Sequence, residues 1–232
     1  MSMSDSMKQS LINLWAYEQR RPAIVIDGTR ALNRLIPTAL SHTAQGQVVG
    51  RFLLGLYDGA EYRFELPQLY HLGLRRFEDC LRVLNMDYAP EVEVHERVEG
   101  GGDIWRQLIG QWRTLRPQQP KHHFHGMSAG AYKRYRQAVE NDGLQALQRL
   151  IQIAQSTTGQ SRTITSFLMG LVNNSHCRIN LTDLRLLDVP VFEDCVSVLR
   201  LGYLTKTEEH QPLVLALLLK QVIELEAEVG KP

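Results

Sequence analysis

The sequence predicts a mainly α-helical protein built from two tandem copies of one small module. When the chain of 232 residues is shifted by 115 positions, residues 16–95 fall on residues 131–210 without a gap. About 32 of the paired residues are identical, and self-similarity at a fixed period is the signature of a duplication. Apolar residues recur at three- and four-residue spacing in both segments, which indicates amphipathic helices. We call residues 16–95 copy one and residues 131–210 copy two.

The composition limits the classes of protein to which the chain could belong. Its length fits two small domains, and a hydrophobic content of 44% is enough to bury a core in each. A net charge of +1 argues against a polybasic coat or a DNA mimic. Residues 1–19 lack the unbroken apolar segment of a signal peptide, and the longest apolar run, residues 213–219, is too short to span a membrane. Three cysteines fit free thiols in a reducing compartment, so we expect a cytoplasmic protein without a membrane partner.

The first helix of each copy follows an aspartate that could cap it, Asp27 in copy one and Asp142 in copy two. Proline lacks the N–H group that an interior helical position donates, so Pro37 is expected to kink or break the copy-one helix. The predicted buried faces are Leu32, Leu35, Ile36 and Ala39 in copy one, and Leu147, Leu150, Ile151 and Ala154 in copy two.

A second helix is predicted after Thr43 in copy one and after Thr158 in copy two. In copy one it should end at the turn dipeptide Asp58-Gly59. Residues 62–66 then alternate between apolar and polar, as do residues 91–98, so a short β-hairpin is possible in each copy.

The remaining repeat elements are two helices in each copy. A short helix is predicted at residues 67–72 and again at 182–187, where Thr182 is the expected cap. The last helix should begin at Arg75, and in copy two at Pro190. Its buried face is predicted to hold Phe77, Cys80 and Leu84 in copy one, and Phe192, Cys195 and Leu199 in copy two.

Segments outside the repeat set the predicted domain boundaries. An amphipathic N-terminal helix carries Met7, Leu11, Leu14 and Trp15. After Gly100-Gly101-Gly102, Asp103 could cap a helix that carries Trp105, Leu108, Ile109 and Trp112. Residues 212–229 form a long helical pattern, apolar first and acidic later. We therefore predict one module at residues 1–115, a linker at 116–130 and a second module with the C-terminal helix at 131–232.

Three motifs could indicate an enzyme, and each has a simpler interpretation. Cys80 and Cys195 lie on the apolar stripe, where a thiol behaves as a small hydrophobic group. Residues 126–130 match a nucleophile elbow around Ser128, but a buried strand should precede an elbow and residues 120–125 do not form one. Linker histidines are weak candidates for a metal site, because no Cys or carboxylate lies close to them in sequence; they are His122, His123 and His125. We therefore predict no catalytic residues, no metal and no cofactor.

Basic residues suggest two contact surfaces for a nucleic acid or an acidic protein. Residues 104–139 contain no acidic residue, and the contact candidates there are Arg113, Arg116, Lys121, Lys133, Arg134 and Arg136. Residues 67–85 have helix–turn–helix spacing, with Arg75, Arg76 and Arg82 as candidate readers of DNA. Copy two replaces these three cations by Pro190, Val191 and Ser197, which argues against DNA reading unless one copy has been repurposed.

Several of the repeated motifs together resemble a family. They are Thr-Gly-Gln at 158–160, Phe-Leu-Met-Gly-Leu-Val at 167–172, Leu-Thr-Asp-Leu-Arg at 181–185, Phe-Glu-Asp-Cys at 192–195, Glu-Val-His at 93–95 and Gly-Gly-Asp-Ile-Trp at 101–105. This pattern resembles an uncharacterised proteobacterial domain family of unknown function whose members are often encoded in integrative and conjugative elements. The resemblance implies no catalytic residues, and it implies an accessory or anti-defence role in a mobile element.

The function predicted from the sequence is therefore that of a non-enzymatic binding protein. Its expected partner is a protein, for example a multi-subunit complex of host defence. The chain would inhibit that complex in the manner of an anti-CRISPR protein. Two similar modules suit such a partner through avidity. A nucleic-acid-binding regulator that uses residues 104–139 is the first alternative, and a serine hydrolase or metal-dependent enzyme is the second. A homodimer through the C-terminal helix is a further expectation, because that helix is apolar on all sides in its first half.

Overall fold

The structure is a computed structural model that describes residues 5–113, 129–172 and 177–206. Across these residues it contains α-helices and short 3₁₀ helices without a β-strand. The α-helices are α1 (Asp5–Ala39), α2 (Ala44–Tyr57), α3 (Leu74–Asp87), α4 (Gly101–Trp112), α5 (Ala129–Ala154), α6 (Ser161–Val172) and α7 (Val189–Lys206). The 3₁₀ helices are Leu66–His71, Val94–Arg97 and Leu181–Leu186. The mainly α fold is confirmed.

Where both copies are described, they contain the same elements in the same order, as the repeat predicts. The helices α1 and α5 end at Ala39 and Ala154, which are 115 positions apart, and the 3₁₀ helices after α2 and α6 correspond in the same way. In copy one α1 packs along α3, and in copy two α5 packs along α7. The duplication is therefore a repeat of structure as well as of sequence.

The copies meet about a local twofold axis, at which equivalent residues face each other. The N–H group of Phe64 donates to the carbonyl oxygen of Ile179 at 2.9 Å, and the N–H group of Ile179 donates back to Phe64 at 2.9 Å. Phe64 and Ile179 are 115 positions apart, so each occupies the same place in its own copy. Such self-complementary pairing is the property of a twofold, isologous interface.

Side chains around this axis form reciprocal contacts. The Tyr88 hydroxyl donates to the Leu187 carbonyl at 2.5 Å, and the equivalent Tyr203 hydroxyl donates to the Leu72 carbonyl at 3.1 Å. The same two rings stack on equivalent phenylalanines, Tyr203 on Phe77 with centroids 4.2 Å apart and Tyr88 on Phe192 with centroids 4.3 Å apart. The buried residues of both copies consequently form one continuous hydrophobic core.

Two pairs of equivalent positions at this interface differ in chemistry. Arg185 of copy two donates to both carboxylate oxygens of the buried Asp87, at 2.9 Å from Nη2. The equivalents of these residues are Tyr70 and Gly202, where the glycine leaves room for the tyrosine ring and hydroxyl. Burial raises the pKa of Asp87 to about 7, although the Arg185 guanidinium acts in the opposite direction.

The expected start and break of the first helix are wrong. Asp27 and Asp142 lie inside α1 and α5, because the apolar pattern continues on their N-terminal side and the helix extends with it. Pro37 does not break α1, which ends two residues later at the position equivalent to the end of α5. A proline so close to the end of the helix interrupts little of it, since few turns follow.

The predicted hairpin is also wrong. Residue 64 pairs with copy two rather than with residues 91–98, and part of that second segment forms the 3₁₀ helix Val94–Arg97. Thr182 is not a cap, because the Asn180 side chain accepts from its N–H group. Thr43 does cap α2, as expected, through its side chain and the N–H group of Gly46.

The predicted buried stripe on the last helix of each copy is confirmed. Phe77, Cys80, Leu84, Phe192, Cys195 and Leu199 are all buried. Trp105, Leu108 and Trp112 of α4 are buried as well, and the Trp112 indole donates to the Ala39 carbonyl at 2.8 Å.

The predicted N-terminal helix is the first part of α1 rather than a separate element. Its apolar residues are exposed, and the Trp15 side chain is 67% accessible. The predicted C-terminal helix at 212–229 lies outside the described residues. Within the described ranges, no helix combines the length and the apolar character that crossing a bilayer requires.

Candidate functional site

An arginine-lined cleft opens in copy one between the end of α1, the start of α2 and the start of α3. It encloses about 680 Å³. We call it the arginine cleft, and its lining residues are Arg34, Thr38, Gln45, Gly73, Arg75, Arg76 and Asp79.

The floor of the arginine cleft is a buried carboxylate held by two arginines. The Arg34 guanidinium donates to both oxygens of Asp79, at 2.6 and 2.9 Å, and Arg82 adds a bond of 2.9 Å. This hydrogen bonding raises the pKa of Arg34 above its usual value. Because three N–H groups of Arg34 and Arg82 already bond to the two carboxylate oxygens of Asp79, its negative charge is compensated within the fold.

Two further arginines lie in the first turn of α3, at the edge of the cleft. Arg76 donates to the uncharged side chains of Thr38 and Gln45, at 3.4 and 3.0 Å. Arg75 is exposed, and no described residue forms a hydrogen bond or an ion pair with it. The N-cap residue Gly73 offers no side-chain acceptor to the helix. The N-terminus of a helix carries partial positive charge, so these two cations reinforce a positive potential instead of cancelling one.

Copy two keeps one Arg–Asp pair of this floor and loses its second arginine and the cationic edge of the cleft. Arg149 donates to Asp194 at 2.7 and 2.8 Å, which reproduces the Arg34–Asp79 pair in the equivalent place. The residues equivalent to Arg75 and Arg76 are Pro190 and Val191, neither of which can carry charge. The equivalent of Arg82 is Ser197, whose hydroxyl donates to its own helix backbone.

Copy two also carries its own anion at the start of the last helix. Asp188 stands where copy one has Gly73, and its carboxylate accepts from the Gln160 side chain at 2.6 Å. Gln160 in turn accepts from the N–H group of Asp188 at 2.9 Å. Gln160 is equivalent to Gln45, which lines the arginine cleft in copy one.

A second basic pocket lies beside α2 and reaches copy two. It encloses about 230 Å³, and its charged residues are Arg51, Glu61, Arg63, Arg113 and Arg178. Burial lowers the pKa of Arg51, and the nearby positive charge of Arg178 lowers it further. Two of these arginines already pair with carboxylates, Arg113 with Glu61 at 3.3 Å and Arg178 with Glu65 at 2.8 Å.

The basic residues predicted from the sequence do not form one surface in the described structure. Arg113 at the end of α4 pairs with Glu61 at 3.3 Å, and Arg136 in α5 pairs with Glu140 at 2.7 Å. Lys133 and Arg134 are exposed on α5. Arg116, Lys121 and the three histidines His122, His123 and His125 lie outside the described residues, as does Ser128.

The arrangement offers hydrogen-bond donors to an anion, and the two repeated cysteines lack the features of an activated nucleophile. Cys80 and Cys195 are buried, and burial raises the pKa of both thiols well above the usual value. Nucleophilic cysteines have a lowered pKa, so both thiols fit the packing role predicted for them. In the described ranges, no cluster of three or more His, Cys, Asp or Glu side chains has the arrangement that holds a metal ion.

Sequence reasoning missed Arg34 and Gln45 as lining residues, because neither stands near Arg75 in the chain. A signal was nevertheless present in the duplication. Identical residues at equivalent positions predict shared structure, and positions at which one copy alone is charged indicate a surface with its own role. The exchange of Arg75 and Arg76 for Pro190 and Val191 is such a difference.

The fold and the cleft together define a helical, internally duplicated protein in which one copy carries a cationic cleft. A model of a family of unknown function, DUF7673, matches the chain twice, at residues 29–113 and 144–224. The chain belongs to this family, and the two matches begin 115 residues apart, in agreement with the repeat. No curated protein and no solved structure matches the chain.

Proposed function

We propose that this chain is a non-enzymatic binding protein whose arginine cleft receives negatively charged groups of a macromolecular partner. The observation that carries this proposal is the difference between the copies at equivalent positions. Both copies build the same buried Arg–Asp floor, and copy one alone adds Arg75 and Arg76 above it. The shared floor serves the fold, whereas the added cations serve a ligand.

The energetics of the helix terminus support a binding role for these arginines. A cation in the first turn of a helix is unfavourable by about 0.3–1 kcal/mol, because it faces the positive end of the helix dipole. Arg75 has no compensating carboxylate among the described residues. A bound anion would interact favourably with both guanidinium groups and with the start of α3.

Within this proposal, the specific role is that of an accessory protein of a mobile genetic element that acts in the cytoplasm on a host defence complex, in the manner of an anti-CRISPR protein. This part follows from the family resemblance. A multi-subunit assembly with repeated acidic or phosphate groups would suit a cationic cleft on a duplicated scaffold, and avidity would strengthen its binding.

The test compares what three forms of the full chain retain from an extract of the native host. The first is the wild type, and the second is the double variant Arg75→Gln/Arg76→Gln. The third, Arg30→Gln/Arg106→Gln, removes two exposed arginines that pair only with aspartates on their own helices. Loss of two charge-assisted contacts should weaken retention of the specific partner about tenfold or more in the second form alone. If both double variants retain the same partner as the wild type, the proposal is refuted.

A nucleic-acid-binding regulator is the second candidate function. The second basic pocket, with Arg51, Arg63, Arg113 and Arg178, supports it, as do the exposed Lys133 and Arg134. Phosphate contacts release counterions, so the affinity for DNA should fall steeply with salt. Neutralising Arg134 and Arg136 should reduce both the affinity and the salt slope, and an unchanged slope would exclude this candidate.

A further inference from the structure

We infer that the group bound in the arginine cleft is the carboxylate of an acidic protein segment, and that it takes the place in copy one that the Asp188 side chain takes in copy two. This inference rests on the proposed function and names its ligand. The cleft provides the cations, and copy two provides an internal example of an anion held at the same point of the fold.

The two positions correspond in backbone geometry as well as in sequence. Gly73 and Asp188 both precede the last helix of their copy, and each carbonyl accepts the first helical bond. The N–H group of Phe77 donates to Gly73 at 3.0 Å, and that of Phe192 donates to Asp188 at 2.9 Å. A carboxylate attached at residue 73 would therefore lie at the mouth of the arginine cleft.

The groups that hold the carboxylate in copy two have counterparts in copy one. Gln160 donates to the Asp188 carboxylate at 2.6 Å, and its equivalent Gln45 lines the arginine cleft. Copy one adds the Arg75 and Arg76 guanidinium groups, which copy two lacks. The arginine cleft thus contains the donors for a carboxylate and, at the helix start, no side chain that could supply one.

The glycine at position 73 is not required by the backbone. Its φ of −63° and ψ of 148° lie in the extended region, which every L-residue adopts. An aspartate could therefore stand in copy one as it does in copy two, and its absence leaves the cleft open to a group from outside.

The example of copy two favours a carboxylate over a phosphate as the ligand. At the equivalent point copy two holds a carboxylate, that of Asp188, through the amide group of Gln160, and the equivalent amide in copy one is that of Gln45. A protruding acidic side chain also fits a cleft enclosed by three helices.

The experiment introduces a carboxylate into the arginine cleft by a substitution at residue 73. Gly73→Asp introduces the carboxylate that copy two already has, and Gly73→Asn introduces a side chain of the same shape without the charge. The probes are a fluorescently labelled hexaglutamate peptide and a labelled oligothymidylate with the same number of charges. Binding of both to the full-length chain is measured by fluorescence anisotropy at low salt.

We expect wild type to bind hexaglutamate more tightly than oligothymidylate, and Gly73→Asp to weaken hexaglutamate binding about tenfold, since the intramolecular carboxylate competes for the same donors. Gly73→Asn should change that affinity less than about twofold. The melting temperature of Gly73→Asp should rise by about 2 °C, because an acidic N-cap stabilises the helix and neutralises Arg75 and Arg76. This rise also shows that the variant folds.

Other results overturn the inference in distinguishable ways. Tighter binding of oligothymidylate, with loss of that binding in Gly73→Asp, would identify phosphate as the ligand and leave the proposed function standing. Equal effects of Gly73→Asp and Gly73→Asn would mean that bulk, not charge, fills the cleft. If Arg75→Gln/Arg76→Gln binds both probes as the wild type does, the arginine cleft binds no anion and the proposed function fails with the inference.

Discussion

Truncating Phe77 to alanine should destabilise the whole protein and not copy one alone. The Phe77 side chain is fully buried, and its ring stacks on Tyr203 of the other copy with centroids 4.2 Å apart. Phe192→Ala is the equivalent change in copy two, where the ring stacks on Tyr88. Both variants therefore remove packing within a copy and across the interface at the same time.

The expected loss follows from this double role. Removing a buried phenylalanine costs about 3–5 kcal/mol, and about 0.5–1.5 kcal/mol of that belongs to the aromatic pair. In a chain of this length 1 kcal/mol corresponds to about 2–4 °C, so the melting temperature should fall by about 6–20 °C in each variant. A matched control is Leu186→Ala, whose side chain is 75% exposed, and it should change stability by less than about 0.5 kcal/mol.

Circular dichroism during thermal and urea unfolding measures both the loss and the number of transitions. One continuous core predicts a single transition that moves as a whole in either variant. A loss below about 1 kcal/mol at both phenylalanines would show that the buried stripe is wrong. Two transitions, of which a variant shifts only one, would show that the copies unfold independently and that the interface is weak.

Three further results are expected. Tyr203→Phe should cost about 1–3 kcal/mol in urea unfolding, because it leaves a buried carbonyl of the other copy without its donor. Burial raises the pKa of Asp87 to about 7 in the fold, well above its unfolded value, so between these two values the folded state holds a proton that the unfolded state releases. Wild type should therefore lose stability relative to Asp87→Asn as the pH rises from 4 to 7. A constant difference in melting temperature between the two proteins would contradict this. Cys80 and Cys195 should resist a thiol reagent in the native protein and react fully in urea, whereas rapid native labelling of either would contradict its burial.

The helices and their buried faces could be predicted from the sequence, because both follow from local spacing. The stripe of Phe77, Cys80 and Leu84 recurs at helical intervals, and the repeat supplied an independent second instance of it in copy two. Register within a helix is local information, and comparison of the two copies removed much of its ambiguity.

The interface between the copies could not be predicted, because periodicity identifies an apolar face without naming what covers it. The alternation around Phe64 indicates a hairpin within copy one, whereas the partner of Phe64 is Ile179, the same position of the other copy. An isolated β-bridge involves only one residue from each copy, so it leaves no alternating pattern in the sequence from which it could be predicted.

The arginine cleft could be predicted in part. The sequence showed that Arg75 and Arg76 have no cationic equivalents in copy two, and this difference was used to argue against a DNA-reading helix. The floor was missed, since Arg34 and Asp79 are 45 positions apart in the chain and only the packing of α1 on α3 brings them together.

The twofold pairing inside a single polypeptide has a consequence for how the protein can change. In a homodimer each substitution appears on both sides of the axis, and dilution separates the halves. Here the halves are covalently joined, so their pairing does not depend on protein concentration, and a substitution alters one side alone. The exchange of Tyr70 and Gly202 for Arg185 and Asp87 shows that the interface tolerates such differences. Copy two can therefore place the carboxylate of Asp188 at the start of α7, while copy one has Gly73 and no carboxylate at the start of α3.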